Sequence, residues 1–152
     1  MINRELINPQ SIVVVGGSNN VHKPGGRLVR NLLDGKYKGE LYVVNAKEDD
    51  VQGLKSYHSV HDIPETELAI ISIPGPACPE AVDVLAKQKN VKAFIVISAG
   101  FGEETHEGAI LEEQMLKSIN EAGASLIGPN CIGLMNMHYH GAVSYTHLRA
   151  HE

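Results

Sequence analysis

Little in this chain of 152 residues points to a secreted, membrane-spanning or nucleic-acid-coating protein. Its two cysteines, Cys78 and Cys131, are too few and too scattered for a disulfide framework or a zinc site. No apolar run approaches the roughly 18–20 residues that span a bilayer. The opening MINRELINPQ is too polar for a secretion signal. The cytoplasm is the expected compartment. Positive charge is in deficit, with 13 Lys and Arg against 18 Asp and Glu and a formal net charge of −5. That argues against non-specific binding to nucleic acid, though not against a local basic pocket for an anion. Internal repeats and low-complexity tracts are absent. So is G-x-G-x-x-G, the usual phosphate-binding signature after a first strand.

What is present is ordinary for one globular domain: 43% hydrophobic and 20% charged residues, enough for one real core at this length. The apolar segments are short and rich in β-branched residues. SIVVVG (11–16), LYVVN (41–45), LAIISI (68–73), AFIVIS (93–98) and SLIG (125–128) are nearly continuous in apolar residues, as strands buried on both faces are. Helical patterns separate several of them. Residues 26–34 place Leu28, Leu32 and Leu33 on one face, and Gly35 follows as a stop. Residues 79–89 begin with Pro79 and Glu80, which suit a first turn. Residues 107–122 put Ile110, Leu111, Met115 and Ile119 on one stripe, closed by Gly123. The polar stretch 46–67 reads as a long connection with a short strand near Tyr57. The expected fold is therefore α/β, a Rossmann-like doubly wound parallel sheet with strand order 3-2-1-4-5.

In such a sheet ligands bind at the carboxyl ends of the strands, where the order reverses. After strand 1 come Gly16, Gly17, Ser18, Asn19 and Asn20. Backbone N–H groups there, with a helix beginning near Pro24, make an anion site, and the side chains of Ser18, Asn19 and Asn20 can add donors. After strand 2 come Asn45 and Lys47, where sheets that bind NAD place an acid for the ribose. A lysine instead suits a phosphorylated ribose, either the 2′-phosphate of NADP or the 3′-phosphate of coenzyme A. The three acids after it, Glu48 to Asp50, equally fit a solvated charged loop. After strand 3, the prolines 74, 76 and 79 remove N–H donors and form a wall for an uncharged part of a ligand. Cys78 reads as a small buried hydrophobe. After strand 4, Glu103 and Glu104 read as first-turn acids rather than a catalytic pair. After strand 5, Cys131 in GPNCIG has no His or Asp that can be placed beside it. It is not assigned as a nucleophile, and no residue is assigned as catalytic. His138 and His140 are too little for a metal site.

Taken together, VVGGSNN, YVVNAKEDDVQG, AIISIPGPACPEAV, FIVISAGFGEE and LIGPNCIGLMN resemble the CoA-binding domain of NDP-forming acyl-CoA synthetases. That family includes the ADP-forming acetate–CoA ligases and, more distantly, the α-subunit of succinyl-CoA synthetase. The resemblance runs from about residue 5 to about residue 142. It implies coenzyme A as cofactor, with Ser18, Asn19 and Asn20 in the first contacting loop, beside the cofactor-binding Gly16 and Gly17 read from the glycine turn (Gly17 stands where the family commonly has Ala), and Lys47 on the cofactor. It implies Ile73 and Pro74 beside the cofactor, Ile97, Ser98 and Ala99 along the pantetheine arm, and Asn130 and Cys131 near the thiol. The reaction it implies is acyl-CoA + ADP + phosphate ⇌ carboxylic acid + CoA + ATP, through an acyl phosphate and a phosphorylated histidine.

That histidine belongs to a further domain, and none of the eight histidines matches it. The chain is therefore expected to be a fragment, inactive alone, that works with phosphohistidine and ATP-grasp parts. It is expected to have no nucleic-acid or membrane partner. The alternatives are a stand-alone CoA-binding regulatory module and an NADP-binding oxidoreductase domain. Residues 1–143 form the expected domain. Residues 144–152, SYTHLRAHE, read as a non-native or disordered tail resembling translated vector or adapter sequence.

Overall fold

Ile12 to Val15 are all buried, and their side chains alternate between two separate cores. This strand is the centre of the molecule in the computed structural model, which describes residues 8–97 and 106–127 and the backbone of 135–136 and 141–142. In chain order the elements are β1 (Ser11–Val15), α1 (Pro24–Asp34), β2 (Glu40–Val44), β3 (Asp50–Val51), β4 (Leu54–Tyr57), β5 (Leu68–Ile71), α2 (Cys78–Gln88), β6 (Ala93–Val96), α3 (His106–Glu121) and β7 (Ser125–Ile127). The two-residue strands β8 (Met135–Asn136) and β9 (Gly141–Ala142) form a separate antiparallel pair.

The main sheet runs β3-β4-β2-β1-β5-β6-β7. Every neighbouring pair is parallel except the β3–β4 hairpin. Val13, Val15, Ala69, Ile71, Phe94 and Val96 face Val82 and Leu85 of α2 and Met115 and Ile119 of α3. Ile12, Val14, Ile70 and Ile95 face Leu28, Val29 and Leu32 of α1. A sheet covered by helices on both faces is the doubly wound architecture expected. Each fully buried Leu or Ile contributes roughly 1.5–3 kcal/mol.

The strand order differs from the expectation at one point. The segment 68–71 does not lie outside β2; it pairs directly with β1 on the other side, with Ile12 opposite Leu68 and Val15 opposite Ile71. All four of its residues are buried, which requires a neighbour on each side. The place beyond β2 goes to β4, whose sequence LKSY is only partly buried and can stand near an edge. Counting β4 as the third strand restores the order 3-2-1-4-5 and extends it by β7.

The helices sit within two residues of their expected bounds. On α3 the expected stripe is rotated: Ile110 is 42% exposed, and the buried positions are Gly108, Met115, Ser118 and Ile119. Ser118 is accommodated because its hydroxyl donates to Asp83 Oδ1 of α2 at 2.9 Å.

Candidate functional site

From β1 the chain turns one way, through α1, to β2, and later returns to β5 on the other side of β1. The loops leaving β1 and β5 therefore diverge at their carboxyl ends, and a cavity of about 300 Å³ opens between them. Its walls are Gly16 to Ser18 after β1, Lys23 to Gly25 at the start of α1, Asn45 after β2, and Ser72 to Pro74 after β5.

The glycines are required by this geometry. Gly16 has φ of 96°, and a Cβ there would run into the Ser72 carbonyl. A Cβ on Gly25 would run into the Gly16 carbonyl, and one on Gly26 into that of Asn20. The start of α1 is thus pressed onto the loop, the part played by the last glycine of G-x-G-x-x-G. Here a longer loop separates the same contacts.

The loop is fixed by polar side chains. Asn45 Nδ2 donates to the Gly17 carbonyl at 2.8 Å, while its Oδ1 accepts from the backbone N–H of Lys47 at 2.8 Å and of Glu48 at 3.0 Å. Ser18 Oγ accepts from the Asn20 N–H at 3.0 Å, and Asn20 Oδ1 accepts from the His22 N–H at 2.9 Å. The N-cap of α1 is Lys23, which is exposed and makes no side-chain capping bond, and Pro24 follows. Among the described residues, the N–H groups of Ser18, Asn19, Gly25 and Gly26 have no protein acceptor. Unpaired N–H donors at a helix start and in an adjoining loop form an anion-binding arrangement.

The expected site residues fall into three groups. Gly16, Gly17, Ser18, Ile73 and Pro74 line the cavity. Asn19, Asn20, Lys47 and Ile97 do not. Asn19 spends its amide on the β3–β4 hairpin, accepting from the Gln52 N–H at 2.7 Å and donating to the Asp50 carbonyl at 2.9 Å. Lys47 is exposed just beyond β2, and no acid pairs with it among the described residues. Of the acids that follow it, Asp49 accepts from His58 Nε2 at 2.8 Å. Ile97 is half-buried against the α1-side core. Ser98, Ala99, Asn130 and Cys131 lie outside the described residues, as do Glu103, Glu104, His138, His140 and the tail. Cys78 is fully buried, its thiol near the carbonyls of Ile73 and Pro74 at 3.7 and 3.6 Å, a structural place.

Sequence reasoning passed over Lys23, Ser72 and Gln52. The position of Lys23, one residue before a proline that opens a helix, was the available signal. Ser72 and Gln52 carried none.

Among the described residues no group of three or more His, Cys, Asp or Glu could hold a metal ion, and no helix is long and apolar enough to cross a membrane. A doubly wound sheet with a glycine loop and open N–H donors where its strand order reverses is a Rossmann-like arrangement. The chain belongs more narrowly to the CoA binding domain family, whose pattern it matches over residues 10–137. It is 40% identical over 135 residues to the alpha subunit of acetate–CoA ligase [ADP-forming] II from Pyrococcus furiosus, covering 88% of this chain and 29% of that subunit. With acetate–CoA ligase [ADP-forming] II of Archaeoglobus fulgidus the identity is 39%, covering 88% of this chain and 20% of the relative. Among solved structures, the dinucleotide-forming acetyl-coenzyme A synthetase 1 of Ca. Korarchaeum cryptofilum superposes with a TM-score of 0.84 at 33% identity, over 93% of this chain and 30% of that one. The chain thus spans less than a third of each of these relatives. The succinate–CoA ligase alpha subunit 2 of Archaeoglobus fulgidus is a more distant match, 31% identical over 90 residues.

Proposed function

We propose that this chain binds coenzyme A for an NDP-forming acyl-CoA synthetase that interconverts acyl-CoA, ADP and phosphate with carboxylic acid, CoA and ATP. The observation that carries the reading is the cavity at the switch point. It offers unpaired N–H groups from Ser18 and Gly25 and the Lys23 side chain on one side, and Ile73 and Pro74 on the other.

Those residues fit the chemistry of CoA. A diphosphate suits the N–H donors and the positive end of α1, with Lys23 adding a full charge. The uncharged pantetheine arm suits the apolar wall at Ile73 and Pro74, where proline presents no donor to be desolvated. Asn45 and Lys47 stand where an NAD-binding sheet would carry an acid. Asn45 is occupied in shaping the turn, which leaves Lys47 as the charged group for a ribose phosphate. CoA bound here supplies the thiol that accepts or releases the acyl group. The residues of this chain bind and orient it, and Asn130 and Cys131 are the residues proposed beside the thiol. The phosphohistidine and nucleotide-binding parts come from other domains or a partner subunit.

Calorimetric titration of the chain with CoA, NADP and NAD tests the reading. CoA should bind, and the two dinucleotides should bind at least about tenfold more weakly, a difference of about 1.4 kcal/mol. Phosphate-dependent ATP formation from acetyl-CoA and ADP should be absent. Preferential binding of NADP, or turnover by the chain alone, would overturn the reading.

A further inference from the structure

The turn between β3 and β4 is made by Gln52 and Gly53, with φ of 52° and 91°. Two successive positive φ values define a hairpin turn in which Asn or Gly is the ordinary first residue. Glutamine has no local advantage there, because its longer side chain does not settle in the left-handed region as that of Asn does. It does have reach. Its Nε2 donates to the carbonyl of Ser18 and to that of Gly26, each at 2.9 Å. Ser18 lies in the loop leaving β1, and Gly26 in the first turn of α1. The backbone N–H of Gln52 and the amide of Asn19 complete the link between hairpin and loop. The arrangement has a cost: Gln52 Oε1 is buried without a hydrogen-bond partner. A left-handed glutamine with an unpaired buried carbonyl persists only where its surroundings over-determine it.

In a trans peptide the C=O and N–H point in opposite directions. Drawing the Ser18 carbonyl toward Gln52 therefore turns the Asn19 N–H away from Gln52. Holding Gly26 by the same amide fixes how far the loop stands from α1. We propose that Gln52 is a positioning residue for the anion-binding loop: its side-chain amide sets the separation between that loop and the start of α1, and so the placement of the donors that receive the diphosphate. This rests on the CoA reading above.

Gln52→Asn tests it, because asparagine suits the turn but is one methylene too short to reach both carbonyls. Gln52→Gly is the second variant, free of the backbone strain. In both, the melting temperature should stay within about two degrees of wild type, since turn preference offsets the lost bonds. Amide hydrogen exchange at Asn20, Lys23 and Arg27 should quicken about tenfold, while Val14 and Ile70 in the central strands keep their protection. CoA should bind about tenfold more weakly by calorimetry. Unchanged exchange in the loop overturns the proposal whether or not CoA binds. So does faster exchange with unchanged CoA affinity, or a melting temperature many degrees lower in both variants with protection lost everywhere. A wild-type chain that takes up no CoA strikes the functional reading instead, and the exchange measurement then decides the role of Gln52 by itself.

Discussion

Gly25, in the first turn of α1, lies so close to Gly16 that a Cβ on Gly25 would penetrate the Gly16 carbonyl oxygen. The contact joins the end of β1 to the start of the helix and closes one side of the cavity. Gly25→Ala should therefore cost about 1–3 kcal/mol, the range for overpacking a tight contact. The melting temperature should fall by several degrees, and CoA affinity should fall with it because the donors are displaced. A thermal melt with a CoA titration checks both. An alanine variant of unchanged stability would mean that helix and loop separate freely.

Lys47 should read the phosphate that distinguishes CoA from dephospho-CoA. Its side chain is exposed with no paired acid among the described residues, and a ribose phosphate carries close to two negative charges. A hydrogen bond to a charged group contributes on the order of 1.5–3 kcal/mol, and exposure and salt pull this toward the low end. Lys47→Ala should weaken CoA about tenfold and leave dephospho-CoA nearly unchanged. Calorimetry of both ligands with both proteins gives the cycle. Equal weakening of the two ligands would return Lys47 to the solvated acidic loop.

The helix pair α2–α3 should carry a pH dependence of its own. Lys87 Nζ bridges Glu121 Oε1 at 2.9 Å and Asp83 Oδ1 at 3.0 Å. The Lys87 ammonium holds both carboxyls below their ordinary range, aided at Asp83 by the Ser118 hydroxyl, and the two carboxylates hold Lys87 above its own. A lowered carboxyl stabilises the fold above its unfolded pKa, and that contribution goes as pH falls through the folded value. A raised lysine stabilises below its unfolded pKa, and that contribution goes as pH rises through the folded value. Lys87→Met should lower the melting temperature by on the order of one to two degrees at pH 7, since these groups are exposed. The gap should close in acid below the carboxylate range and again in alkali above the lysine range. A gap that stays constant across that window would show that the pair contributes through packing.

We propose that residues 144–152 add nothing to the stability of the domain, so that removing them leaves the melting temperature within about a degree of the full chain. Differential scanning calorimetry of the two chains decides it. A loss of several degrees would show that the tail docks on the domain.

The strands were legible because parallel strands buried on both faces must be apolar almost throughout, as Ile12–Val15 and Leu68–Ile71 are. The glycine loop and the start of α1 near Pro24 could be read for a similar reason: close backbone approach leaves its mark in residue type. Rotation of α3 could not be read. Gly108 and Ser118 carry no apolar signal, yet they face the core and turn Ile110 outward. The uses of Asn19 and Asn45 were equally hidden, since an amide in a loop reads the same whether it meets a ligand or a carbonyl distant in sequence.

Residue pattern alone is enough for the fold class, the glycine loop after β1 and the family. Local burial and backbone demands are written residue by residue. Only the tertiary structure decided that β5 lies against β1 with β4 beyond β2, and that Gln52 reaches across from the hairpin to Ser18 and Gly26. Strand partners and long-range hydrogen bonds depend on which surfaces meet when the whole core closes, and no stretch of neighbouring residues contains that information.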